Sequence, residues 1–93
     1  MNGTQIIFTV FDKKLGAYAN PFVAVNKAVV IREFSNNFKQ GGDSPYFTNP
    51  EDFAVYAIGT FDSELGSVSN VLDSGLAAEL VLELYKYRDW ETT

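Results

Sequence analysis

The chain contains no cysteine and no histidine. Without cysteine there is no disulfide and no thiolate metal site. Without histidine the usual general base near neutral pH and the commonest metal ligand are both missing. No apolar run approaches the ~18 residues that a membrane span requires. The opening Met1-Asn-Gly-Thr-Gln5 lacks the basic-then-apolar pattern of a signal peptide, so the expected setting is a reducing cytoplasm. There is no Walker loop, no GxGxxG, no GxSxG and no zinc signature. Glu51-Asp52 is the tightest carboxylate pair, but adjacent acids at a helix start serve the helix dipole rather than flanking a cleft. An Asp/Glu-only metal site near Asp43 or Asp62 would lack calcium-loop spacing. Together these absences predict a protein that is not an enzyme, uses no cofactor and acts by binding.

What is present is a globular composition. Of 93 residues, 46% are hydrophobic and 20% charged, which is too ordered a mixture for a disordered chain and enough for one domain. Aromatics are abundant, with eight Phe and five Tyr. Such rings fill cores or, on a surface, anchor contacts. Net charge is −5, and it is unevenly spread. Residues 1–42 carry five cations against two acids, a balance of +3, whereas residues 43–93 carry two against ten, a balance of −8. Such asymmetry marks a basic and an acidic surface, although charges also segregate by chance in a short chain.

Local patterns divide the chain into two halves, a strand-turn-helix unit over Asn2–Lys39 and a hairpin-helix unit over Pro50–Asp89, joined by a loop at 40–49. Thr4–Phe11 (TQIIFTVF) reads as a strand from its β-branched and aromatic content. Ile6, Phe8 and Val10 share one face and Ile7, Thr9 and Phe11 the other. Asp12-Lys-Lys-Leu-Gly16 has the chemistry of a tight turn with a glycine at positive φ. Asn20-Pro21 looks like a helix start, cap followed by proline, leading to a helix that Gln40-Gly41-Gly42 ends. Phe53–Phe61 (FAVYAIGTF) predicts a second strand, in which Phe53, Val55 and Phe61 alternate with Tyr56 and Ile58, then Asp62–Gly66 a second turn and Ser67–Leu72 a third strand. Asp73 or Ser74 would then cap a last helix over Gly75–Asp89, with Trp90 folding back on the core. The motif FDxxLG occurs twice, at Phe11–Gly16 and Phe61–Gly66. It reads either as a favourable hairpin turn used twice or as the trace of a duplication.

The expected fold is α+β: a small antiparallel sheet (β-turn-β, α, β-hairpin, α) with two helices on one face. The other face would then show aromatics to solvent. A homodimer partner is the commonest cover for such a face, so the chain is expected to be dimeric. Single-stranded nucleic acid is another, because bases stack on aromatics beside basic residues. Lys13, Lys14, Tyr18, Lys27 and Arg32 gather near the first turn and the helix start, with Lys39 in the helix's last turn. They are the candidate nucleic-acid-binding residues, or else ordinary solvated charge.

Several segments have a family likeness. Tyr18, Pro21-Phe22, Asn26, Ala28, Arg32 and Phe34 follow Val10-Phe11-Asp12-Lys13-Lys14. Then come Asn49-Pro50-Glu51-Asp52-Phe53, Tyr56, Ile58-Gly59, Phe61-Asp62 and Gly66. The pattern resembles the small non-structural protein of gokushovirus-type microviruses, often labelled DNA-binding, over about residues 6–66. The block from Pro50 to Asp62 is its most specific part. Phe11 stands where the family often has Tyr, Val30 where it has a small or polar residue, and nothing after Val68 takes part in the likeness. The resemblance implies a phage protein in the cytoplasm of a bacterial host, acting on single-stranded viral DNA in genome replication or packaging. The acidic half favours an alternative, a module that engages a viral or host protein, for example as a nucleic-acid mimic or inhibitor of host defence.

Overall fold

In the computed structural model, residues 3–41, 43–69 and 78–86 are described. Nine elements follow in chain order: β1 (Thr4–Asp12), β2 (Ala17–Tyr18), β3 (Phe22–Ala24), α1 (Lys27–Gln40), α2 (Pro45–Thr48), a 3-10 turn (Pro50–Asp52), β4 (Phe53–Asp62), β5 (Ser67–Ser69) and β6 (Glu79–Glu83). The class is the expected one, α+β with an antiparallel sheet.

The long strands β1 and β4 form the centre, running antiparallel with Thr4 opposite Asp62 and Asp12 opposite Phe53. β2 and β3 both pair with the outer edge of β1, and β5 and β6 with the outer edge of β4. The sheet therefore has an approximate two-fold arrangement, and the repeated FDxxLG motif sits at equivalent places in it. In the first turn Asp12 Oδ1 accepts from the N–H groups of Lys14 and Leu15 at 3.0 and 3.1 Å. In the second, Asp62 Oδ1 accepts from Glu64 and Leu65 at 2.9 and 3.2 Å. Gly16 and Gly66 close the turns at φ 67° and 70°, in the left-handed region that glycine enters without strain. Even the hairpin register repeats: Phe11 faces Tyr18, and Phe61 faces Val68. One turn chemistry thus builds both ends of the sheet.

One face of the sheet is covered. Phe8, Val10, Phe53, Val55, Ala57, Leu82 and Leu84 form the core with Val30 of α1, and Ile31, Phe34, Phe38 and Tyr46 pack around them. The alternation of a strand puts these β1 and β4 residues on one side. The Tyr46 ring of α2 meets Phe53 edge-on at 4.8 Å. Two helices do share a face, but the second is α2, inside the segment read as a loop. Ser44 caps it through Tyr46 N–H, with Pro45 opening the first turn.

Three boundaries differ from the expectation. The helix does not start at Asn20-Pro21. Residues Phe22–Ala24 instead pair with Ile6–Phe8, and the Phe22 ring stacks on Phe8 at 5.9 Å. Asn26 is the cap, its carboxamide oxygen accepting from Val29 N–H at 3.0 Å. Both asparagines carry the same cap chemistry, and the exposed edge of β1 decides between them by recruiting Phe22–Ala24 as a strand. Secondly, the helix expected over Gly75–Asp89 is a strand where its middle is described: Glu79–Glu83 pairs with Ala54–Ala57. Leu80 and Leu84 fit helical spacing, but Leu82 and Leu84 alternate into the core and, past a register shift between Val55 and Tyr56, Leu80 pairs with Tyr56 on the other face; the open edge of β4 takes the segment. The end of the third strand at 70–72, the cap at Asp73 or Ser74, the remainder of that helix and Trp90 lie outside the described residues. Thirdly, a bulge falls where the β1–β4 register shifts: Ile7 faces Gly59 while Phe8 faces Ala57. The extra residue, Ile58, reverses the alternation beyond it. Phe61 therefore lies on the face of Ile7, Phe11 and Tyr56, not with Phe53 and Val55.

Gly59 sits at this bulge for a steric reason. A Cβ there would lie 2.6 Å from the Ser69 carbonyl oxygen, and backbone cannot yield as a side chain tip can. Gly59→Ala is expected to push β5 away from β4 and destabilise by about 1–3 kcal/mol. A thermal melt should show a drop of roughly 4–8 °C per kcal/mol; an unchanged melt would mean that β5 is not held this close.

Candidate functional site

The sheet face opposite α1 carries Ile7, Phe11, Tyr18, Val23, Tyr56, Phe61, Val68 and Leu80, by register and alternation. Much of it is open. Tyr18 is 52% exposed, Val23 49%, Leu80 50% and Val68 67%. Three rings cross the strands as a cluster: Phe11 to Tyr18 at 4.7 Å, Tyr18 to Tyr56 at 5.8 Å and Phe11 to Tyr56 at 6.2 Å. Beneath them Thr9 is buried, its hydroxyl donating to the Ala19 carbonyl at 2.7 Å. That bond ties the chain leaving β2 to β1 and so fixes Tyr18 over the sheet.

The candidate residues divide between two surfaces. Tyr18 is on the open face, and Lys13 and Lys14 are in the turn beside it. Lys27, Arg32 and Lys39 belong to α1 on the opposite side of the sheet. The lysines of the turn and helix start have acidic partners from the second half of the chain. Lys13 Nζ is 2.6 Å from Glu83, Lys14 Nζ 3.5 Å from Asp52 and Lys27 Nζ 3.1 Å from Glu79. Among the described residues Arg32 and Lys39 have no such partner. They are seven apart, hence on one face of the helix, and both are exposed. The six residues do not line one groove.

Phe11 and Tyr56 were not among the candidates, yet they complete the ring cluster with Tyr18. The signal available for them was the two-residue alternation that sets Phe11 and Tyr56 apart from Phe8, Val10 and Val55. Among the described residues no group of His, Cys, Asp or Glu is arranged to hold a metal ion, and no helix is long and apolar enough to cross a membrane.

A family model described as Phage ORF5 protein matches residues 5–81, a span that holds all of β1 but its first residue, β2 to β5, both helices and the start of β6. No curated protein and no solved structure matches the chain.

Proposed function

The chain belongs to the Phage ORF5 protein family, and from that premise we propose that it is a non-enzymatic accessory protein of a microvirus-type phage that binds single-stranded DNA in the host cytoplasm during genome replication or packaging. The observation that carries this reading is the Phe11–Tyr18–Tyr56 cluster on a sheet face that no described helix covers. Bases stack on such rings whatever their sequence. Lys13 and Lys14 stand at the edge of the cluster, where a phosphate backbone would pass. Their ion pairs do not forbid this: Lys14 is 77% exposed at its side chain and Lys13 41%, and exposed pairs are worth only about 0–1 kcal/mol. A phosphate would compete with Asp52 and Glu83 for these lysines. The net charge of −5 opposes approach, but repulsion from distant acids is screened beyond ~10 Å at 0.1 M salt.

Few phosphates are neutralised on this reading, so the salt dependence is shallow. With two contacts, Lys13 and Lys14, log K should fall against log salt with a slope of about −1.4. Fluorescence anisotropy with a labelled oligothymidylate measures it. A flat dependence, or no binding at micromolar protein in low salt, removes DNA as the ligand.

A second reading is favoured by a different observation. Val23, Val68 and Leu80 extend the rings into a broader apolar surface, which suits a protein partner or a second copy of the chain better than a phosphate backbone does. Sedimentation equilibrium separates these cases. A concentration-dependent dimer that excludes oligonucleotide would favour the second copy, and a monomer at all concentrations would exclude it.

A further inference from the structure

We propose that the two turn ends of the sheet are complementary docking surfaces, through which copies of this chain join head to tail. The contact uses neither the open face nor its rings, and it does not rest on the single-stranded DNA reading. Asp12 lies opposite Phe53 and Asp62 opposite Thr4, so the two FDxxLG turns stand at opposite ends of β1 and β4. Strands of this length separate them by about 30 Å. Each turn holds out a leucine. Leu15 is 78% exposed and Leu65 79%, more than any other large apolar side chain among the described residues. The turn itself does not require leucine there. The aspartate accepts from the backbone N–H of that residue, and the following glycine supplies the positive φ, so a polar side chain would serve the geometry equally well.

A lone exposed leucine is ordinary; the charges beside these two are what point to a partner. The first turn carries Lys13-Lys14 and the second Ser63-Glu64. Lys13 is held by Glu83 at 2.6 Å, whereas Lys14 is 3.5 Å from Asp52 with its side chain 77% exposed. Lys14 is therefore the cation that an approaching chain meets. Glu64 is exposed and has no cationic partner among the described residues. Two first turns would set lysine against lysine, and two second turns glutamate against glutamate, and like charges reject such pairings. A first turn against a second pairs Lys14 with Glu64. It also lets Leu65 settle beside Leu15, at the open apolar cleft that Leu15 shares with Val10, Ala17 and Phe53. Both turns are braced in advance, which lowers the ordering cost of a contact. Lys13 N–H donates to the Asp52 carbonyl at 2.8 Å, and Ser63 Oγ donates to the Gly3 carbonyl at 2.8 Å. The two surfaces are different and face opposite ways, so the contact is heterologous and copies add one after another.

The test is zero-length carbodiimide cross-linking of the full, unaltered chain in low salt, at about 1 mM because so small a contact is weak. The carbodiimide takes up one oxygen of the Glu64 carboxylate and leaves as a urea. The Lys14 amine forms an amide with the remaining carbonyl carbon and gives up its proton to water. Within one chain the length of the sheet keeps these two groups apart, so a Lys14–Glu64 amide found in the peptide digest reports a contact between copies. The expected result is a ladder of dimers, trimers and higher oligomers that carry this amide. Leu65→Ser should lower its yield about tenfold, the effect of withdrawing one partly buried leucine. Lys14→Glu should abolish it, and Lys14→Glu combined with Glu64→Lys should restore an amide between the same two positions. All three changes are at exposed sites, and circular dichroism checks each fold. Oligomers without this amide, no oligomers, a yield that folded Leu65→Ser leaves unchanged, or a folded charge swap that restores nothing would each overturn the head-to-tail contact. No DNA is present, so such a result leaves the reading of the ring cluster standing.

Discussion

Phe8→Ala should cost about 3–5 kcal/mol, the largest loss expected from a single truncation among the described residues. The ring is completely buried. It is surrounded by the core residues of β1, β4, α1 and β6 and stacks on Phe22 of β3. Its neighbour on β4 is Ala57, which has no side chain able to swing into the space left behind, while Phe22 on β3 would lose its stacking partner. The cavity would therefore persist on the β4 side, and cavity terms add to the lost transfer energy. A domain of this size has a total stability of roughly 5–15 kcal/mol, so the variant would be marginal at room temperature. Urea or thermal unfolding should show a fall of tens of degrees, at roughly 4–8 °C per kcal/mol. Phe11→Ala is the internal control. Phe11 is only part-buried on the open face, and its truncation should cost clearly less. Equal losses would mean that both faces of the sheet are covered alike.

The second large effect falls on binding rather than on folding. Tyr18→Ala combined with Tyr56→Ala should weaken oligothymidylate by about 30-fold to 10⁴-fold, since stacking contributes roughly 1–3 kcal/mol per base. The fold should survive, because Tyr18 is half-exposed and Tyr56 lies outside the core. The anisotropy titration that gives the salt slope gives this number too. A folded double variant that binds as tightly as the unaltered chain would take the site away from the ring cluster. Arg32 and Lys39 on α1, which have no acidic partner among the described residues, would then be the next surface to mutate.

The charge pattern shows how a sequence signal can be real and still mislead. Residues 1–42 are net basic and residues 43–93 net acidic. Among the described residues the fold brings lysines of the basic half against acids of the acidic half. The antiparallel pairing of β1 with β4, and of β4 with β6, lays the two halves side by side. Lys13 meets Glu83, Lys14 meets Asp52 and Lys27 meets Glu79. Contacts between segments 38 to 70 residues apart, such as those Lys13 makes to Glu51 and Glu83, have no trace in a local window.

The sequence by itself determined β1, β4, both Asp-to-Gly turns and the end of α1 at Gly41. In each of these the decisive chemistry lies within a few residues: β-branched runs, a carboxylate that caps its own turn, a glycine that enters positive φ. It also determined that a face of the sheet would carry rings, since alternation is a local property. Tertiary structure alone decided the rest. Asn20 and Asn26 are equally good caps, and only the edge of β1 turned Phe22–Ala24 into a strand. Leu80 and Leu84 fit helical spacing while Leu82 and Leu84 fit a strand's alternation, and only the edge of β4 chose the strand. A single bulge residue, Ile58, moved Phe61 to the open face. Short segments with ambiguous patterns follow whichever hydrogen-bonding edge is left unpaired beside them. That edge is made by strands distant in sequence, so it exists only once the sheet has formed.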